Sequence, residues 1–156
     1  NASSFYPTPL ATVTENQWAD LIGTNLKAPL FLAQAALPHL KASHGVIINI
    51  VDIHAVRPLR DHAAYGAAKA GLAFLTRALA RDLAPDIRVN GVAPGAILWP
   101  DGGVSDSMRD TVLRQIPLKR VGEPADIAGC VLYLVRDASY VTGQIIAVDG
   151  GRSAGW

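Results

Sequence analysis

Hydrophobic positions along this chain fall either at helical spacing or in β-branched runs, and the alternation between the two predicts its elements. Trp18, Leu21, Ile22, Leu26, Leu30 and Phe31 fall three, four or five residues apart, close to the spacing that lines one face of a helix. Thr14-Glu15-Asn16-Gln17 has the form of a capping box ahead of them, so a helix is predicted from about 15 to about 40. Pro29 lies inside that segment and should bend it, because proline has no amide hydrogen to donate. Residues 46–51 (VIINIV) are a β-branched run and read as a buried strand. The loop 52–61 leads to an Ala-rich helix from about 63 to 83. A second β-branched strand covers 87–94 and stops at Pro94-Gly95. A short helix near 105–114, a helix from Glu123-Pro124 through Arg136, and a last strand within 143–151 complete the pattern.

Strands alternating with helices of 12 or more residues indicate βαβ units, hence a parallel sheet with helices on both faces. In such sheets, ligands sit beyond the carboxyl ends of the strands. Asp52 ends one strand, Pro94-Gly95 ends another, and the Ala-rich helix begins near the same edge. The candidate chemistry therefore converges on one edge of one sheet.

Composition narrows this picture only slightly. Of 156 residues, 50% are hydrophobic and 17% charged, which fits a well-packed globular domain. A net charge of +1 gives no broad basic face for nucleic acid. No apolar run approaches the roughly 18 residues of a membrane span. The single cysteine, Cys130, excludes an internal disulfide, suits a reducing cytoplasm, and reads as a small buried hydrophobe. His39, His44, His54 and His62 are scattered without metal-ligand spacing and read as solvated or locally bonded.

Two features carry chemistry. Tyr65 and Lys69 form Tyr-x-x-x-Lys near the start of the Ala-rich helix, and an i,i+4 spacing puts both on one face. A phenol with an ordinary pKa near 10 is a poor acid–base group at neutral pH. An ammonium beside it is expected to lower that pKa and fit it to pass a proton. Small neighbours (Gly66, Ala67, Ala68, Ala70, Gly71) allow close approach of a cofactor, a sheet or another helix. The second feature is Asp52, an acid delivered at the end of a buried strand. Its plain reading is a cap on the following turn.

The sequence then becomes recognisable. Tyr65-x-x-x-Lys69 is followed by RVNGVAPGAI (88–97), VGEPADIA (121–128) and YVTGQIIAVDGG (140–151). Together these blocks strongly resemble the short-chain dehydrogenase/reductase family. The resemblance implies a Rossmann-like, doubly wound parallel sheet and a nicotinamide cofactor, expected to be NADPH. It implies that Asn25, in IGTNLKAPLFL, supports the lysine in a proton relay with Tyr65. Asn1, Ala2, Ser3, Tyr65, Lys69, Pro94, Gly95 and Ala96 fall where the family holds its cofactor. The glycine-rich turn that holds the pyrophosphate in this family is not among these residues. Residues 1–156 are therefore expected to be the C-terminal part of one domain, with roughly 90 residues of the fold lying ahead of them.

Within the family, NASSFYPTPL (1–10) together with Asp52 in IINIVD, where most members carry serine, resembles the pteridine reductases. That resemblance implies Ser3, Phe5, Asp52 and Tyr65 at a pterin or folate-like substrate, with Phe5 stacking on it, and a homotetramer. A flat heterocycle gains from an aromatic platform, and reducing a ring C=N bond needs a proton as well as a hydride. Two alternatives stand beside this expectation. One is a short-chain reductase of another carbonyl, sugar or acyl substrate, in which Asp52 and Phe5 are incidental. The other is an incomplete, non-catalytic segment that contributes to oligomer assembly. Phe5 and Tyr6 read plainly as anchors on the core, and Trp99-Pro100 as a substrate lid or a surface loop.

Overall fold

The computed structural model describes residues 2–99 and 103–155; Asn1 and Pro100 lie outside them. Thr14 opens α1 (Glu15–Ile22) with both halves of the capping box formed with Gln17. A π-helical turn, Gly23–Lys27, follows and leads into α2 (Ala28–Ala42). Where a bend was expected at Pro29, the structure has this widened turn just ahead of it. Pro29 removes the donor that an α-helix would direct at the Asn25 carbonyl. The ladder widens there, and the Ala28 amide reaches back five residues to Gly23.

β1 (Val46–Ile50), α3 (Ala63–Asp82), β2 (Arg88–Pro94), α4 (Asp106–Gln115), α5 (Pro124–Arg136) and β3 (Ile145–Val148) follow. All lie close to their predicted spans except β3, which is shorter than the 143–151 segment because Asp149-Gly150-Gly151 turns away. The strands form one parallel sheet in the order β1-β2-β3, with Ile48 opposite Asn90 and Val92 opposite Ile146.

The period of two along each strand sorts side chains to the two faces. Ile47 and Val89 pack with Leu37, Leu40 and Ala80 of α2 and α3. Their neighbours Ile48, Ile50 and Val92 pack with Ile127, Val131 and Leu134 of α5. Helices on both faces follow directly from that alternation, and Cys130 is half-buried in the second cluster. Polar side chains inside are paired, apart from the Thr8 hydroxyl, which has no partner among the described residues. The Asn49 amide donates to Thr76 Oγ1 at 2.9 Å, and Asn90 ties the turn before β3 through Val141 and Gln144.

Two glycines are there for close approach. A Cβ on Gly71 of α3 would stand 2.8 Å from Leu26 of the π-turn, and one on Gly95 would stand 2.7 Å from the Asp149 backbone. The small residues of the Ala-rich helix thus admit another helix, and Pro94-Gly95 admits the end of β3. Among the described residues, β1 has a strand on one side only. No helix among them is long and apolar enough to cross a membrane.

Candidate active site

The site is built where β1 ends. Asp52 leaves the strand fully extended (φ −171°) and divides its two oxygens. Oδ1 accepts the His54 amide at 2.8 Å and caps a short 3-10 turn, while Oδ2 accepts the Tyr65 hydroxyl at 2.7 Å. The turn cap and the partner of the Tyr65 hydroxyl are thus the same carboxylate. Lys69, one turn beyond Tyr65 on α3 and 4% exposed, donates to the Ile50 carbonyl at 2.9 Å. Its ammonium lies 5.7 Å from the centre of the Tyr65 ring.

The phenol is held the opposite way from the expectation that Lys69 lowers its pKa. Burial raises it well above the ordinary value, and the charge and hydrogen bond of Asp52 raise it further, against a smaller opposite effect of the Ser3 hydroxyl. The physical reason is local: a phenolate here would be desolvated and would face a carboxylate at hydrogen-bond distance. Lys69 is itself shifted down by burial, with Asp52 opposing.

Asn25 is 1% exposed, turned inward by the π-turn. Its side chain binds the N-terminal segment, accepting from the Ser3 hydroxyl at 2.6 Å and donating to the Ser4 and Leu21 carbonyls. Tyr6 anchors the same segment, donating to Asp20 at 2.9 Å. A cleft of about 380 Å³ is lined by Ala2, Ser3, Asn25, Asp52, Tyr65, Lys69 and Pro94. It runs along the open edge of β1. Gly95 and Ala96 sit just beyond, committed to β3 and to the Gly122 amide respectively. Asn1 falls outside the described residues.

Phe5 is half exposed, and its ring meets the edge of Tyr65 with centroids 4.8 Å apart. Unlike Tyr6, it is no core anchor. One of its faces is covered by His62, at 4.8 Å and 22° between planes. His62 was expected to be solvated or locally bonded. Its Nδ1 does pair locally with the Arg60 carbonyl, and its ring also covers Phe5 beside Tyr65, just outside the residues that line the cleft. The signal for it was present in the i,i+3 spacing to Tyr65. Trp99 stacks under Arg109 of α4. Arg57 donates to the Arg152 carbonyl and so ties the loops after β1 and β3 together. No cluster of metal-ligating side chains occurs among the described residues.

The fold is thus a parallel α/β sheet with a buried Tyr-x-x-x-Lys pair beside Asp52 at the end of β1, where ligands of such sheets sit. A family model described as enoyl-(acyl carrier protein) reductase matches residues 1–153. The 3-oxoacyl-[acyl-carrier-protein] reductase of Staphylococcus epidermidis is 44% identical over 146 residues, 91% of this chain and 60% of the relative. A short-chain dehydrogenase/reductase (glucose/ribitol dehydrogenase) from Brucella melitensis superposes with a TM-score of 0.88 at 37% identity. That match covers 97% of this chain and 61% of the other. A 4-hydroxyisoleucine dehydrogenase in complex with NADH gives 0.89 at 30% identity, covering 99% and 67%. The chain belongs to the short-chain dehydrogenase/reductase family, and it spans about 60% of the length of the curated relatives it matches. The names of those relatives fit the expected alternative, a carbonyl or acyl reductase, better than pterin reduction.

Proposed function

We propose that the full-length protein is an NADPH-dependent reductase in which the Tyr65–Asp52 pair delivers the proton, and that its substrate is a dihydropterin or related pterin. The observation that carries the substrate reading is the carboxylate of Asp52 at 2.7 Å from the phenol, where most of the family has a hydroxyl. A carbonyl oxygen needs one proton donor, which the tyrosine supplies. A ring C=N bond takes the same tally, a hydride on carbon and one proton on nitrogen, and the Asp52 carboxylate that accepts from the phenol is the added polar group to hold and orient such a ring beside Tyr65. The half-exposed Phe5 supports the same reading as a platform for a flat ring.

The residues present fit a nicotinamide cofactor. An ammonium has three N–H donors; Lys69 spends one on Ile50 and lines the cleft with the others. Lys69 and Tyr65 are the groups to hold hydroxyls of the cofactor, with Ser3, Pro94 and Gly95 beside them. The cofactor, when bound, supplies a hydride. Asn25 holds the N-terminal wall of the cleft that Lys69 also lines, and its support of the lysine is taken from the family resemblance. The homotetramer is taken from the family resemblance, with Phe31 and Phe74 exposed on α2 and α3 as candidate contact residues.

A second reading has its own support. The relatives are named as reducing 3-oxoacyl groups carried on a protein, and Tyr65 with Lys69 suffices for a ketone. Asp52→Ser in the full-length enzyme separates the two. On a dihydropterin, kcat/KM is expected to fall about 10²–10⁴-fold, the range for loss of a general acid, while a 3-oxoacyl thioester is reduced nearly as before. Equal losses on both, or a wild type that reduces only the thioester, overturn the pterin reading.

A further inference from the structure

His62 is the N-terminal cap residue of α3, yet its side chain makes no capping hydrogen bond. Its imidazole is instead held twice, by Nδ1 on the Arg60 carbonyl at 2.7 Å and by the stack on Phe5. Nδ1 carries the hydrogen in that bond, since a carbonyl only accepts. Phe5 depends on this support. It sits on an N-terminal segment without regular structure, more than half exposed, and its other aromatic contact is edge-on with Tyr65. Without the imidazole one face of Phe5 would lie open, and the ring could turn about its first side-chain torsion. With it, His62, Phe5 and Tyr65 form a continuous aromatic wall from the start of α3 to the proton-donating hydroxyl.

We infer that His62 is a specificity-determining positioning residue. It braces Phe5 so that the exposed part of that ring is presented to a flat, conjugated substrate beside Tyr65. The inference rests on the proposed reduction at Tyr65 and adds to it the residue that sets how the substrate ring is gripped. Bracing acts on binding and leaves proton delivery alone, because Asp52, Tyr65 and Lys69 hold one another independently of His62. It acts through Phe5, so the two residues must be coupled.

The test is a double-mutant cycle in the full-length enzyme, with kcat and KM measured on a 7,8-dihydropterin and on an acetoacetyl thioester. His62→Ala is expected to raise KM for the dihydropterin about 3- to 10-fold, the size of one aromatic contact, with kcat within about 2-fold. His62→Phe keeps the stack and should restore KM. Phe5→Ala/His62→Ala should be no worse than Phe5→Ala alone, since contacting residues are non-additive. The flexible thioester should show less than half of the KM effect. Additive losses, a failure of His62→Phe to rescue, or a fall in kcat at constant KM overturn the inference. Tyr65→Phe runs alongside as the control. If it retains turnover, or if wild type reduces neither compound, the reading of the site falls and this inference with it. If Tyr65→Phe is inactive but His62→Ala leaves KM unchanged, the inference falls alone.

Discussion

At the scale of single residues, the site is governed by which proton sits where. Tyr65 keeps its proton because burial and the Asp52 carboxylate both disfavour the phenolate. Tyr65→Phe retains the ring that packs with Leu21 and Ala64 and removes only the transferable proton. Turnover of the full-length enzyme should fall about 10²–10⁴-fold with KM within a few fold, as steady-state kinetics will show. The raised pKa makes a second prediction. Phenolate absorbance assigned to Tyr65, as the difference between wild type and Tyr65→Phe, should be absent as pH rises through 10 and should move to lower pH in Asp52→Ser. The sign also fixes its effect on stability. A folded pKa above the unfolded value contributes stability that is fully present below pH 10 and is lost as pH rises further.

At the scale of elements, side chains at strand ends and helix turns decide what each element can do. The π-turn exists because Pro29 withholds a donor, and its consequence is an Asn25 turned inward onto the N-terminal segment. On the next helix, Thr76 is completely buried, donating to Leu72 and accepting from Asn49 of β1. Thr76→Val is close in shape but leaves the Asn49 amide without a partner. It should cost about 1–3 kcal/mol, read as a lower urea midpoint at unchanged slope, while Thr76→Ser should keep most of the stability. Asp149 does similar work after β3. Burial pushes its carboxyl up, but hydrogen bonds from Ser153 and Gly151 outweigh that and hold it below the ordinary value. A depressed folded pKa contributes stability that is present above the unfolded value near 3.9 and is lost as pH falls through the folded pKa. The difference in Tm between wild type and Asp149→Asn should therefore be largest near neutrality and shrink below pH 4.

For the whole molecule, the open edge of β1 dominates. The Val51 amide donates to Val92, and in a parallel ladder alternate residues turn their polar groups to the same neighbour. Asn49 and Val51 therefore face β2, while Ile48 and Ile50 face the cleft, where the Ile50 carbonyl meets Lys69. In a sample of these 156 residues, hydrogen exchange should be fast at the Ile48 and Ile50 amides and slow at Val51. In a longer protein that pairs this edge, the first two should become protected. Exposed edges of this kind otherwise invite association with another chain.

Much of this was legible along the chain because it depends on local spacing. The β-branched runs in VIINIV and RVNGVAP, alternating with helical segments, set a parallel sheet covered on both faces, and the i,i+4 spacing set Tyr65 and Lys69 on one side of α3. The capping box at Thr14, the strand-end position of Asp52 and the blocks shared with the short-chain family were equally local. What only tertiary structure decided are the pairings between segments distant in sequence. Burial first, and then the Asp52 carboxylate at hydrogen-bond distance, reverse the expected influence of Lys69 on the phenol. His62 meets Phe5 beside Tyr65 because the N-terminal segment, tied down by Asn25 and Tyr6, lays Phe5 across the start of α3. A pKa depends on distance and burial, and an aromatic stack on where two remote segments meet; neither quantity is carried by residue spacing.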